Sequence, residues 1–129
     1  MEKDVFECFG DGIFAGGGRE TDFGTLRWER HQEYDGVSLK HLVNTDRTGG
    51  RFSCHLVRIA PDCRIGWHSH PDSMELHEII RGSGTCLTDQ GEVAYVPGVI
   101  GLIACGEFHE VRAGKDGLFL FAKFIAVKG

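Results

Sequence analysis

Turn chemistry recurs along this chain about every ten residues, and that spacing constrains the fold more than any other feature, because closely spaced turns leave room only for short strands. The segments NTDRTGG, APDC, HPDS, DQG, VPG, ACGE and AGKDG each carry Gly, Asp, Asn or Pro, residues that reverse a backbone cheaply. Between them lie stretches rich in β-branched and aromatic residues, at 36–43, 51–60, 75–82, 84–89, 92–96, 99–104, 108–113 and 118–127. No long segment repeats its apolar residues at the helical period. The pattern predicts an all-β sandwich or barrel.

The first 35 residues fit less well. DGIFAGGGRETDFG is too glycine-rich for a helix, and its GGGRET lacks the spacing of a phosphate-binding loop, so residues 1–35 are expected to form a flexible arm and the first strands. LRWERHQEY, at 26–34, reads equally as a strand or a helical turn. Residues 36–129 then make one β-barrel domain, and 129 residues suffice for one core but not two.

Charge and cysteine usage narrow the partners. The formal net charge is −5 and the 14 Lys and Arg form no cluster, which opposes nucleic acid as a partner. No apolar run approaches the roughly 20 residues a membrane span needs. Cys8, Cys54, Cys63, Cys86 and Cys105 are odd in number and include no CxxC pair, so free thiols and a cytoplasmic setting are expected. The acidic residues in MEKDVFECFG do not suit a secretory leader. A small molecule is the partner that remains, and the arm and the apolar last strand suggest pairing between two copies as a homodimer.

One stretch carries the chemistry. GWHSHPDSMELHEIIRG, residues 66–82, sets three histidines and three acidic side chains in a strand-like region. His68 and His70 are two apart and share a face of an extended chain, as do Glu75, His77 and Ile79 after the PDS turn. Two imidazoles and a carboxylate brought together suit a divalent first-row ion such as iron, nickel, zinc or manganese. His109, in ACGEFHEVRA, offers a further imidazole.

Residues 57–113 resemble the cupin motifs, G(x)5HxH(x)3-4E(x)6G followed by G(x)5PxG(x)2H(x)3N. His68, His70, Glu75 and Gly82 match the first, and Gly98, Gly106 and His109 match the second. Asp62 stands where the first motif opens with glycine, Ala104 where the second has proline, and Ala113 where it has asparagine. The resemblance implies a cupin double-stranded β-helix, a jelly-roll barrel, with one divalent transition metal on His68, His70, Glu75 and His109. It also implies metal-dependent isomerase, lyase or dioxygenase chemistry on a small polar metabolite such as a sugar, sugar acid or keto acid. The alternative is a non-catalytic module that binds or senses a small ligand or the metal. His77 is the candidate for moving a proton, with a neighbouring wall position as its plainer role. Alternation in RFSCHLVRIA places His55 on the inner face, as a candidate for binding substrate, if the β-branched residues point inward. Arg58, or Arg64, becomes a candidate for binding a substrate carboxylate if they do not. Trp67 is expected outside the cavity, and His31 and His41 at the surface.

Overall fold

The computed structural model describes residues 2–127. One short helix and ten strands follow in order: α1 Val5–Gly10, β1 Ile13–Gly16, β2 Arg19–Asp22, β3 Glu29–Arg30, β4 Val37–Val43, β5 Phe52–Ile59, β6 Arg64–His68, β7 Ser73–Thr88, β8 Gly91–Tyr95, β9 Ile100–Ile103 and β10 His109–Ala126. All pairings are antiparallel.

Two long strands build the barrel. The stretches expected at 75–82 and 84–89 are one strand, β7, and those at 108–113 and 118–127 are one strand, β10. The second half of β10 lies between β5 and the first half of β7, with β4 and β3 beyond β5 and β9 beyond β7. Its first half lies between β6 and the second half of β7, with β8 outermost. Each long strand therefore passes from one sheet into the other. Gly82 marks the passage: it takes φ +85, and a Cβ there would sit 2.0 Å from the Gly117 carbonyl oxygen on β10. Only glycine permits that approach.

Apolar residues of both sheets meet between them. Val57, Ile59, Ile79, Leu120 and Ile103 face Cys86, Tyr95, Val111 and Ala113 in one buried cluster. The strand β5 is buried on both faces through Ser53–Val57, so its outer side needs a cover as well. The N-terminal segment provides it. Phe6 and Phe23 join Leu42, Val43, Cys54 and Leu56 in a second cluster.

The expected flexible arm is thus a folded layer. Asp4 and Glu7 form a reciprocal capping box that starts α1, a Ser/Thr/Asp-x-x-Glu signature present in the sequence and not read from it. The GGG run becomes the turn of the β1–β2 hairpin, with Gly17 and Gly18 at positive φ. The last strand also departs from expectation. It is paired on both sides for most of its length, so it has no free edge to offer a second copy.

Candidate metal centre

Four side chains converge near the end of β6 and the start of β10. His68 closes β6, and its partner across the ladder is His109, the first residue of β10. His70 follows in the loop, and Glu75 enters from β7. One ligating atom from each of His68, His70, Glu75 and His109 lies within 4.8 Å of the others. Glu75 Oε1 is 3.1 Å from His109 Nε2 and 3.4 Å from His70 Nε2. His109 and Glu75 are buried, whereas His68 and His70 are half-buried, so the cluster opens toward solvent on the HxH side.

The hydrogen bonds behind two of the rings fix their tautomers. A carbonyl oxygen only accepts, so Nδ1–H of His68 donates to Gly66 O at 2.6 Å and Nδ1–H of His109 donates to Glu107 O at 3.1 Å. Each neutral ring then turns an Nε2 lone pair toward the others, the arrangement that carbonyl partners impose on metal-ligating histidines. Glu75 Oε1 and His109 Nε2 are buried and have no hydrogen-bond partner. Buried polar atoms are rarely left so, and a shared cation would satisfy both.

For three of the four side chains electrostatics point the same way. Burial by itself raises the Glu75 carboxyl, but the His109 and His77 rings beside it outweigh that and hold the group below the usual carboxylate range. Burial lowers His68 and His70, which favours the neutral, ligating imidazole. For His109 burial also acts downward, yet the adjacent Glu75 carries the ring above its ordinary value. A carboxylate, two rings that burial keeps neutral, and His109, whose Nε2 would give up any proton to a bound ion, form a donor set suited to a divalent ion with nitrogen and oxygen preference.

The other candidates fall in different places. His77 is 2% exposed and both of its nitrogens are engaged, Nε2 with Glu75 Oε2 at 2.7 Å and Nδ1 with the Tyr95 hydroxyl at 2.8 Å. It touches the carboxylate behind the cluster, at the neighbouring wall position, and has no free nitrogen. His55 does face inward, on the same side of β5 as the core residues Val57 and Ile59. Its Nδ1 meets His41 Nδ1 at 2.7 Å and its Nε2 meets Ser53 Oγ at 2.8 Å. Burial, with some help from the neighbouring His41, pushes the His55 pKa down to about 4. His41 packs against His55 on one side and keeps its side chain 35% exposed on the other. Phe124 stands between the two groups, its ring 5.5 Å from that of His55 and 4.9 Å from that of His70.

Arg58 is not brought to the cluster. It is exposed on the opposite face of β5 from His55, with its guanidinium 4.0 Å from the Trp28 ring centre. Arg64 is exposed beside Glu110. Trp67 lies outside the barrel, stacked on Phe108. Tyr95 and Phe124 were absent from the sequence reading, and nothing in their local patterns marks them. Tyr95 reaches the site because Gly101 leaves room: a Cβ at 101 would lie 2.1 Å from the tyrosine hydroxyl.

No protein-family model matches the chain, and no curated protein matches it. Solved structures do. A predicted oxalate decarboxylase from Thermotoga maritima is 21% identical with a TM-score of 0.74, over 81% of this chain and 96% of that one. The polyketide cyclase RemF from Streptomyces resistomycificus is 20% identical with a TM-score of 0.70, over 81% of this chain and 76% of that one. A sugar phosphate isomerase of the cupin superfamily from Silicibacter pomeroyi is 20% identical with a TM-score of 0.68, over 84% of this chain and 76% of that one. At these identities the likeness is one of architecture, and together with the strand order above it establishes that the chain has the cupin jelly-roll fold.

Proposed function

We propose that this protein is a metal-dependent enzyme that holds one divalent ion, iron, nickel, manganese or zinc, on His68, His70, Glu75 and His109 and acts on a small polar metabolite. A sugar, sugar acid or keto acid is the substrate class, and isomerase or lyase chemistry is preferred over dioxygenation. The observation that carries the reading is the convergence of four ligating atoms within 4.8 Å of one another, among them the buried Glu75 Oε1 and His109 Nε2, which have no hydrogen-bond partner. Several proteins of the same architecture are named for enzymatic activities, including a sugar phosphate isomerase and a polyketide cyclase, which supports catalysis over storage. When bound, such an ion polarises carbonyl and hydroxyl oxygens or, if it is iron, brings dioxygen into reach.

The chain's own residues shape the rest. His68 and His109 are held in the ligating tautomer by Gly66 and Glu107, so the donor set is preformed. The half-buried His68 and His70 leave the open side by which a polar ligand would enter. The Phe124 ring packs against His70 beside the cluster. We place the protein in the cytoplasm, where its five free thiols would stay reduced. We also infer a homodimer, now through β9, which pairs only with β7 and exposes Ile100 at 64% and Leu102 at 62%. A solution mass near the 14.3 kDa of one chain would refute the dimer.

Elemental analysis of untagged protein purified without chelators tests the main reading. About one transition-metal equivalent per chain is expected, with its anomalous signal among the four side chains. Loss of that metal in Glu75→Gln and His109→Ala is expected too. Metal-free wild type that gains no thermal stability from any of the four ions would refute it.

A further inference from the structure

The cluster explains one oxygen of Glu75 and leaves the other to be accounted for. Oε1 faces His109 and His70, while Oε2 lies 2.7 Å from His77 Nε2. A carboxylate only accepts hydrogen bonds, so His77 Nε2 carries the hydrogen and donates to Oε2. The neutral ring's Nδ1 must then accept, and its partner, the Tyr95 hydroxyl at 2.8 Å, is the donor. With a neutral His77 ring, the protons of this string run from Tyr95 through His77 to Glu75. Every member is buried: Tyr95 is 1% exposed, His77 2% and Glu75 7%. Gly101 in β9 supplies the vacancy that the tyrosine hydroxyl fills.

The string has a consequence for coordination. If Glu75 swung to offer both oxygens to an ion, His77 would keep a buried N–H with no partner, which proteins avoid. Three imidazoles and a single carboxylate oxygen leave two positions on an octahedral ion, whereas a two-oxygen carboxylate would leave one. We propose that His77, braced by Tyr95, is a positioning residue that keeps Glu75 a one-oxygen ligand, and that the site thereby takes ligands that chelate through two oxygens, such as α-hydroxy or α-keto acids. This rests on the metal reading above, and it adds a residue and a ligand geometry to it.

The test uses the full chain loaded with cobalt(II), whose absorption spectrum reports coordination. Glycolate and acetate are the probes, because they differ by the one hydroxyl that closes a chelate. Wild type is expected to bind glycolate at least tenfold more tightly than acetate. His77→Ala should weaken cobalt binding by about 10–100-fold, the usual effect of removing a residue that orients a ligand. In cobalt-saturated His77→Ala the glycolate preference should fall to within about twofold of acetate, while His77→Gln, which keeps a donor to Oε2, should restore most of it. Tyr95→Phe removes only the hydroxyl and should give an intermediate loss, which keeps the test decisive if His77→Ala does not fold. An unchanged preference in His77→Ala, or in Tyr95→Phe where His77→Ala is unfolded, overturns the proposal. So does an equal loss of affinity for both probes, which would mark His77 as merely structural. Wild type that binds cobalt without preferring glycolate overturns the proposal alone, whereas wild type that binds neither cobalt nor iron, nickel, manganese or zinc overturns the metal reading itself.

Discussion

Replacing Gly82 with alanine should be among the most damaging small changes in the molecule, and the structure says why. The residue holds φ +85, where a side chain costs about 1–2 kcal/mol. The new Cβ would also lie 2.0 Å from the Gly117 carbonyl oxygen, which belongs to backbone and cannot rotate aside. Relief requires parting β7 from β10 beside the Leu118–Gly82 pair. That leaves a buried backbone group without its partner, at a cost of about 1–3 kcal/mol. The total is about 2–5 kcal/mol, a large share of the 5–15 kcal/mol typical of a domain. Gly98→Ala is the control: its φ is +98 and nothing lies within 4 Å of a Cβ there, so it bears the backbone cost alone. Urea unfolding followed by circular dichroism measures both. With a slope of about 1–3 kcal/mol per molar urea, the Gly82→Ala midpoint should fall by about 1 M or more, and by clearly more than that of Gly98→Ala. Equal losses in the two variants would show that the close crossing of the long strands is not what demands glycine.

Two further outcomes follow from burial. His55 has a folded pKa of about 4, below the ordinary 6.5, so the unfolded chain takes up its proton first as pH falls. Its contribution is full above pH 6.5 and is lost as pH drops through the window from 6.5 to 4, amounting to about 3 kcal/mol at most. His55→Gln should therefore show a shallower decline in urea-derived stability between pH 7.5 and 4.5 than wild type, and parallel declines would refute the assignment. Phe6 is 4% exposed, stacks on Trp28 and meets Phe119 edge-on. Phe6→Ala should cost about 3–5 kcal/mol in thermal or urea unfolding. A loss below about 1 kcal/mol would mean that the N-terminal layer adds little to the stability of the barrel.

The legible part of this structure is what depends on short-range period. Alternation placed Glu75, His77 and Ile79 on one face and His55 with Val57 and Ile59 on another, and the strands obey both. Turn residues located the reversals, but they overstated them at Gly82–Gly84 and at Gly114–Gly117, where the chain bends between sheets without leaving its strand. Glycine serves both purposes, and its presence alone does not distinguish a turn from a crossing. What the sequence hid depends on register between distant strands. His41 meets His55 only because β4 pairs with β5 in a register that sets them opposite each other. Tyr95 meets His77 only across the barrel, through the gap at Gly101.

The departures from the cupin motifs are intelligible in the same terms. Asp62 occupies the place of the first motif's opening glycine, and among the described residues it is the one non-glycine at positive φ, +63. The position requires a left-handed backbone, and aspartate is among the side chains that tolerate it. At 104, alanine supplies an N–H that proline would lack, and that N–H donates to Glu107 Oε1 at 3.0 Å, so a hydrogen bond ties the turn leading to His109. At 113, the side chain lies in the apolar cluster between the sheets, and its N–H donates to the Cys63 carbonyl. An asparagine there would have to bury its amide among Val111, Leu118 and Ile59, whereas alanine adds no polar group. All three changes fall on backbone and packing positions, which is why the motif could be altered at each while His68, His70, Glu75 and His109 still face one another.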